Sequence, residues 1–398
     1  MTRAAENDAM APVSLILVSH SYPPKLGGSE IEAQRVCAAL IRRGHRVMVL
    51  CAGGPPMPDA ARWIDPSGVP VRIFARHRKG RWQDYTYALA VAWTLFRERR
   101  NYQLTYFLMQ GLHLATGLPV CRALGKPSVM KVSGSGLIPI MRQSWIGRLE
   151  LRWLERWASR VMILNDGMVA EATDAGISKE RLMWMPNPVD TAEFIPCPAP
   201  DRVALRARLG LPANARCIVF VGRLAPEKEL PSLLRALPSV IRREPRTILV
   251  IVGDGPVRSE LEALARALEI GPHVCMTGRQ TVPEVLEWLQ ASDVFALVSR
   301  NEGFPCSLVE AMAVGLPSVV SDIPANRQLI DPAVHGLHAV MGDSVSIGDA
   351  LSTLLADDDL RRRLGAAART RVVENYSVDR VVNRYEALFA EVLKSHAQ

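Results

Sequence analysis

Val294-Phe295-Ala296-Leu297-Val298-Ser299-Arg300-Asn301-Glu302-Gly303-Phe304-Pro305-Cys306-Ser307-Leu308-Val309-Glu310 reads as an apolar strand, a polar loop and the first turns of a helix ending near Gly315. The same grammar extends in both directions. Apolar runs of strand length at 217–221, 247–252, 273–277 and 318–321 alternate with helical patterns. Farther upstream the alternation recurs at 13–19, 46–51, 69–74, 104–109, 128–132 and 161–164. Between the two series lies a Pro-rich passage, Pro186 to Pro200, through which no element could continue. Alternation of this kind predicts parallel sheets built from β-α-β units. The expected fold is α/β, two facing Rossmann-like doubly wound domains with a cleft between them. Their expected bounds are 1–190 and 191–376, followed by a C-terminal helix, 377–398, packing back on the first domain. Ligands of such folds sit beyond the carboxyl ends of strands, so the loops carry the chemistry.

Composition agrees with a globular protein. Of the 398 residues, 48% are hydrophobic and 22% charged, which excludes disordered and fibrous classes. No apolar run reaches the roughly 20 residues of a spanning helix. Glu6 and Asp8 precede the short apolar run 13–18 and no A-x-A site follows, so no signal peptide is expected. Seven scattered cysteines without a C-x-x-C pair argue against disulfides and structural zinc, and for a reduced, cytoplasmic protein. The net charge of +8 is concentrated in residues 1–190, with 25 Lys and Arg against 15 Asp and Glu. A nucleic-acid partner is not expected, because no recognition motif or aromatic cluster on a basic sheet accompanies the charge. An anionic membrane surface fits better. Arg76-His77-Arg78-Lys79-Gly80-Arg81-Trp82, with Trp93, Phe96, Arg97, Arg99 and Arg100, reads equally as a lipid contact and as a solvated basic face. For residues 144–160, the stripe Ile146, Leu149, Trp153 and Trp157 is expected to pack on the sheet, leaving Arg148, Arg152, Arg156 and Arg160 solvated.

Three loops stand out. Gly27-Gly28-Ser29-Glu30 follows the first strand, and Ser29 with Glu32 reads as a capping box, placing the glycines just ahead of a helix N-terminus. Such a turn suits a phosphate or serves simply as a turn. Gly222-Arg223-Leu224-Ala225-Pro226-Glu227-Lys228 brings an Arg and a Lys to a strand's carboxyl end, fit for a diphosphate or for solvent. In the opening stretch, Glu302 lies on the loop and Glu310 one turn into the helix. The two carboxylates would accept hydroxyl hydrogen bonds on either side of amides that face phosphate. Gly253-Asp254-Gly255-Pro256 reads as a turn and helix cap. Asp357-Asp358-Asp359 reads as a helix start rather than a metal motif.

In this order, and with Pro186-Asn187-Pro188-Val189-Asp190 at the junction, the motifs resemble the retaining glycosyltransferases of family 4, whose fold is GT-B. The resemblance runs from the first strand to the last helix and includes the E-x7-E motif, Glu302 to Glu310. It implies transfer of a hexose from a UDP- or GDP-sugar to a hydroxyl acceptor, a lipid-linked or polysaccharide intermediate of cell-surface glycan assembly. It implies no cofactor and no metal. Arg223 and Lys228 would hold the donor diphosphate, Glu310 the ribose and Glu302 the transferred sugar. The backbone of Gly303, Phe304, Pro305, Ser307 and Leu308 would assist, Gly27 and Gly28 would approach the diphosphate, and Gly278 and Arg279 would flank the base. Where many members carry a histidine beside the transferred sugar, this chain reads Ser133-Gly134, and His113 is the candidate substitute. The rival implications are a nucleotide-sugar 2-epimerase, or a catalytically silent relative that binds or scaffolds.

Overall fold

The alternating runs form two sheets. The computed structural model describes residues 11–24, 27–53, 58, 60–74 and 80–397, so residues 76–79 of the basic run, and Glu6 and Asp8, lie outside the described residues. The first sheet contains β1 (Ser14–Ser19), β2 (Arg46–Ala52), β3 (Arg62–Ile64), β4 (Pro70–Phe74), β5 (Leu104–Leu108), β6 (Ser128–Lys131), β7 (Arg160–Ile163) and β8 (Leu182–Trp184). Their order is β3-β4-β2-β1-β5-β6-β7-β8, and only β3 runs antiparallel to its neighbour. The second sheet contains β9 (Arg216–Val221), β10 (Thr247–Val252), β11 (Val274–Gly278), β12 (Val294–Leu297), β13 (Ser318–Ser321) and β14 (Gly336–Ala339). It is parallel throughout, in the order β11-β10-β9-β12-β13-β14. Central strands are apolar at consecutive positions, and Leu15 to Val18 and Cys217 to Phe220 are buried on both faces, as helices on both sides require. The three strands with no counterpart in the sequence pattern, β3, β8 and β14, are short and lie at sheet edges. In each sheet the strand order reverses beside the first strand, between β1 and β5 and between β9 and β12. That reversal opens a crevice at the carboxyl ends, where ligands of such sheets bind.

The chain divides into two compact units, residues 1–188 with 378–398, and residues 189–377. The last helix, Val378–Ala397, contributes Val381, Val382, Tyr385, Leu388, Phe389 and Val392 to one core with Leu15, Leu17, Val36 and Leu40 of the first unit. Its Tyr385 also closes a buried polar cluster. The Lys131 ammonium, fully buried at the end of β6, donates to the Glu32 carboxylate, to Asn187 Oδ1 at 2.8 Å and to the Tyr385 hydroxyl at 3.4 Å. The Tyr385 hydroxyl donates to Glu32 at 3.0 Å and pairs with that of Tyr106 at 3.0 Å. Burial pushes the Glu32 carboxyl up, with Lys131 and Tyr385 pulling it down.

This cluster corrects one expectation. Helix Gly28–Arg42 has Gly27 as its N-cap and no side-chain cap, so Gly28 is helical and Ser29 and Glu32 form no capping box. Glu32 turns inward to Lys131 instead, a long-range ion pair outcompeting a local amide contact. Glu30 folds back over Gly27, where a Cβ would meet its carboxylate, and accepts from the Ser21 hydroxyl. A second correction concerns helix Trp145–Trp157. Its buried row is Gly147, Glu150, Leu151 and Leu154, packed on helices Leu112–Ala123 and Leu137–Gln143 rather than on the sheet. Ile146, Leu149, Trp153 and Trp157 are half-buried beside that row, Trp153 stacks on Trp157 at 5.0 Å, and Arg148, Arg152 and Arg156 are exposed.

Candidate active site

In the second unit, the loops at the carboxyl ends of β9, β10, β11 and β12 interlock. The Gly222 amide donates to Val252 at 3.0 Å, Leu224 to Asp254 at 3.0 Å and Gly253 to Gly278 at 2.9 Å. Gly253 carries a φ of +138°, and a Cβ there would stand 1.9 Å from the Gly222 carbonyl oxygen. Only glycine permits that approach. The stretch 253–256 is therefore a loop tie; the helix starts at Arg258, two residues beyond Pro256.

Against this frame the turn Pro226–Lys228 is fixed to the loop that follows β12. The Lys228 ammonium donates to Glu302 Oε1 at 2.6 Å. The Arg300 amide donates to the Glu227 carbonyl at 2.8 Å, and the Arg300 guanidinium pairs with Glu229. The structure thus brings Lys228 and Glu302, 74 residues apart, into one ion pair whose side chains are 19% and 9% exposed. Arg223 stands in the same turn region, 69% exposed and paired with Glu227 at 2.7 Å. Its planar fork faces solvent, in reach of an anionic ligand.

Helix Cys306–Ala313 begins where the sequence places it. Its N-cap, Pro305, offers no side-chain oxygen to the first amides, and those amides with the helix dipole favour negative charge. Glu310 lies one turn in and is half-buried, Ser307 is half-buried and Leu308 is buried. Gly303 and Phe304 occupy the loop, with the Phe304 ring 5.8 Å from that of Tyr376. Gly278 closes β11 with a φ of +75°, and Arg279 beside it is exposed. These candidates all lie in the second unit; Gly27, Gly28, Ser133, Gly134 and His113 lie in the first.

Among those five, Gly27 and Gly28 open helix Gly28–Arg42. Ser133 and Gly134 are half-buried on the loop after β6. His113 is buried, and burial with the neighbouring His20 lowers its pKa to about 4, so it is a neutral ring at physiological pH. It lines a cavity of about 420 Å³ in the first unit that reaches neither Ser133 nor Gly134. Sequence reasoning missed that cavity's other polar groups, which are scattered singly along the chain without a motif. Among the described residues, no group of His, Cys, Asp and Glu is arranged to hold a metal ion, and no helix is long and apolar enough to cross a membrane.

Residues 201–371 match the family model Glycosyl transferases group 1, and residues 27–188 match Glycosyl transferase 4-like domain. The chain belongs to this glycosyltransferase family. The glycosyltransferase is 22% identical over 382 residues to an N-acetyl-alpha-D-glucosaminyl L-malate synthase of Bacillus anthracis, covering 93% of this chain and 96% of the relative. It is 29% identical over 402 residues to a GDP-mannose-dependent alpha-mannosyltransferase of Mycobacterium tuberculosis, covering 95% and 98%. Among solved structures, it superposes on Anabaena HepE in complex with UDP and glucose with a TM-score of 0.79 at 20% identity, covering 95% and 100% of the chains. Two parallel-sheet α/β units with that likeness give the glycosyltransferase the GT-B fold expected of it.

Proposed function

We propose that the chain transfers a hexose, with retention and without a metal, from a UDP- or GDP-sugar to a hydroxyl of a lipid-linked or glycan acceptor in cell-surface glycan assembly. The observation that carries this reading is the Lys228–Glu302 pair held at 2.6 Å beside the N-terminus of helix Cys306–Ala313. A departing nucleoside diphosphate needs positive charge that grows in effect as the bond breaks. Lys228, Arg223 and the helix dipole supply it without an ion. Glu302 orients the lysine and offers an acceptor to a sugar hydroxyl, and Glu310 offers one to the ribose. In the step itself, the acceptor oxygen bonds to the anomeric carbon on the face the diphosphate leaves. The carbon–oxygen bond to phosphate breaks, and the acceptor's proton passes to the leaving phosphate oxygen. No side-chain base is required. The full-length relatives, one of them dependent on GDP-mannose, support donor use of this kind.

The first test is nucleoside diphosphate release from a panel of UDP- and GDP-hexoses, with and without a membrane lipid extract, in the presence of EDTA. Release from one donor, raised by lipid and lost in Lys228→Ala, is expected. Release that EDTA abolishes would end the metal-free reading, and an unaffected Lys228→Ala the diphosphate assignment.

Peripheral contact with an anionic membrane is part of the proposal. On helix Arg81–Arg97, Trp82, Tyr85, Leu89, Trp93 and Phe96 form one stripe at helical spacing and are all exposed, while Tyr87, Val91 and Leu95 face the core. Exposed Arg97 and Arg100 follow at its end, and Arg99 sits 4.7 Å over the Phe96 ring. An apolar stripe bordered by arginines suits an interface of acyl chains and anionic headgroups. Trp93→Ala should weaken sedimentation with phosphatidylglycerol vesicles several-fold, and salt should weaken the parent protein's binding. Partitioning insensitive to both would count against the membrane role.

A further inference from the structure

The cavity of the first unit combines unsatisfied hydrogen-bond acceptors with an apolar wall. We infer that it is the binding site for the uncharged, hydroxylated head of an amphipathic acceptor, such as a neutral glycolipid or alkyl glycoside, with Glu150 its principal polar anchor. The inference deepens the glycosyltransferase reading and rests on it for the word acceptor; the binding claim stands on the cavity.

Glu150 is 3% exposed and lines the cavity. Its Oε1 has no hydrogen-bond partner among the described residues, and neither has the buried Oε1 of Gln110 on the same wall. A buried polar atom left unpaired is expensive, so a site that retains two of them is built to receive donors. Burial raises the Glu150 carboxyl to about 8, so at neutral pH it is largely a carboxylic acid able both to donate and to accept. No Lys or Arg lines the cavity among the described residues, whereas Asp84 and Glu150 both do. Those two acidic groups would oppose the charge of a phosphate-bearing head.

The remaining surface suits carbon. Tyr87 lies 5.5 Å from the His113 ring and 5.9 Å from that of His20, whose Nε2 is held 2.9 Å from Asp84 Oδ1. These three rings belong to the cavity wall, and Ile140, Met141 and Ile146 complete an apolar side. Gly147 shapes the floor: a Cβ there would stand 2.1 Å from the Met141 carbonyl oxygen. The outer edge is apolar too. Ile140 is 58% exposed, and Trp145, between the lining residues Ser144 and Ile146, is 69% exposed. A volume of about 420 Å³ falls within the usual size of small-molecule sites.

Octyl β-D-glucopyranoside below its micellar concentration is the probe, titrated into the full chain and followed by tryptophan fluorescence and calorimetry, with octyl phosphate and octylamine as charged counterparts. Saturable binding of the glucoside and none of the phosphate is expected. Glu150→Leu should weaken it about tenfold, the scale of one lost buried hydrogen bond. Glu150→Gln, which keeps a donor and an acceptor in the same shape, should stay within about threefold of the parent. Ile140→Trp, which fills the cavity, should abolish binding. Glucoside binding unaffected by Glu150→Leu and Ile140→Trp, stronger binding of either charged probe, or no glucoside binding would overturn the inference. UDP and GDP binding to the parent protein is measured in parallel. Its loss with glucoside binding intact would overturn the donor reading alone; the reverse would overturn this one alone.

Discussion

Two Lys–Glu pairs show how one chemistry serves two ends in this molecule. Lys131 and Glu32 meet inside the first unit at 0% and 2% side-chain exposure, and the ammonium's donors go to Glu32, Asn187 and Tyr385. Lys228 and Glu302 meet on loops of the second unit at 19% and 9% exposure, beside an open Arg223. The first pair is enclosed by its own protein and joins β6, helix Gly28–Arg42 and the last helix into one core. The second retains solvent access at the carboxyl edge of a sheet. A lysine surrounded by protein acceptors is a clamp, whereas one that remains partly open can receive an anion.

The contrast can be broken by experiment. Lys131→Met leaves Glu32 buried without its cation and should destabilise the protein by about 3–5 kcal/mol, read from urea unfolding. Adding Glu32→Leu should recover most of that loss, and a single-variant effect under about 1 kcal/mol would dissolve the clamp. Lys228→Ala should lower donor turnover about 10²–10³-fold with the urea midpoint unmoved. Equal destabilisation by both lysine variants would erase the distinction between the pairs. Gly253→Ala, at a φ of +138° and facing the Gly222 carbonyl, should lose about 1–3 kcal/mol and weaken donor binding with it. Retained stability would show that the loop tie yields freely. The smallest effect belongs to Arg223–Glu227, exposed at 69% and 41%. A double-mutant cycle there should give about 0–1 kcal/mol, and a larger coupling would mean that Arg223 is held by the protein rather than offered to a ligand.

The parts legible beforehand share a property. Strands of both sheets, the start of helix Cys306–Ala313 and the helix cap at Asp357, which accepts from the Leu360 amide at 2.8 Å, are set by neighbours within a few residues. Glu302 and Lys228 were readable as members of loops after strands, though not as partners of each other. Ser29 and Glu32 had the right spacing for a cap, yet Glu32 found a better partner 99 residues away. Glu150 carries no motif at all. Its position on an amphipathic helix looks like that of any half-turn neighbour, and only the helices packed around it reveal that its carboxyl is enclosed and unpaired.

By itself, the sequence determined the class of fold, two series of alternating strands and helices, and which loops follow the carboxyl ends of the strands. Those follow from periodicity and local turn chemistry, which act over distances of a few residues. Tertiary structure alone decided which side chains of the last helix enter the first unit's core, that Lys131 is a clamp while Lys228 is open, and that an acid and an amide face an apolar cavity. Burial and partner choice are sums over contacts from distant segments. No stretch of chain encodes them until the sheets have brought those segments together.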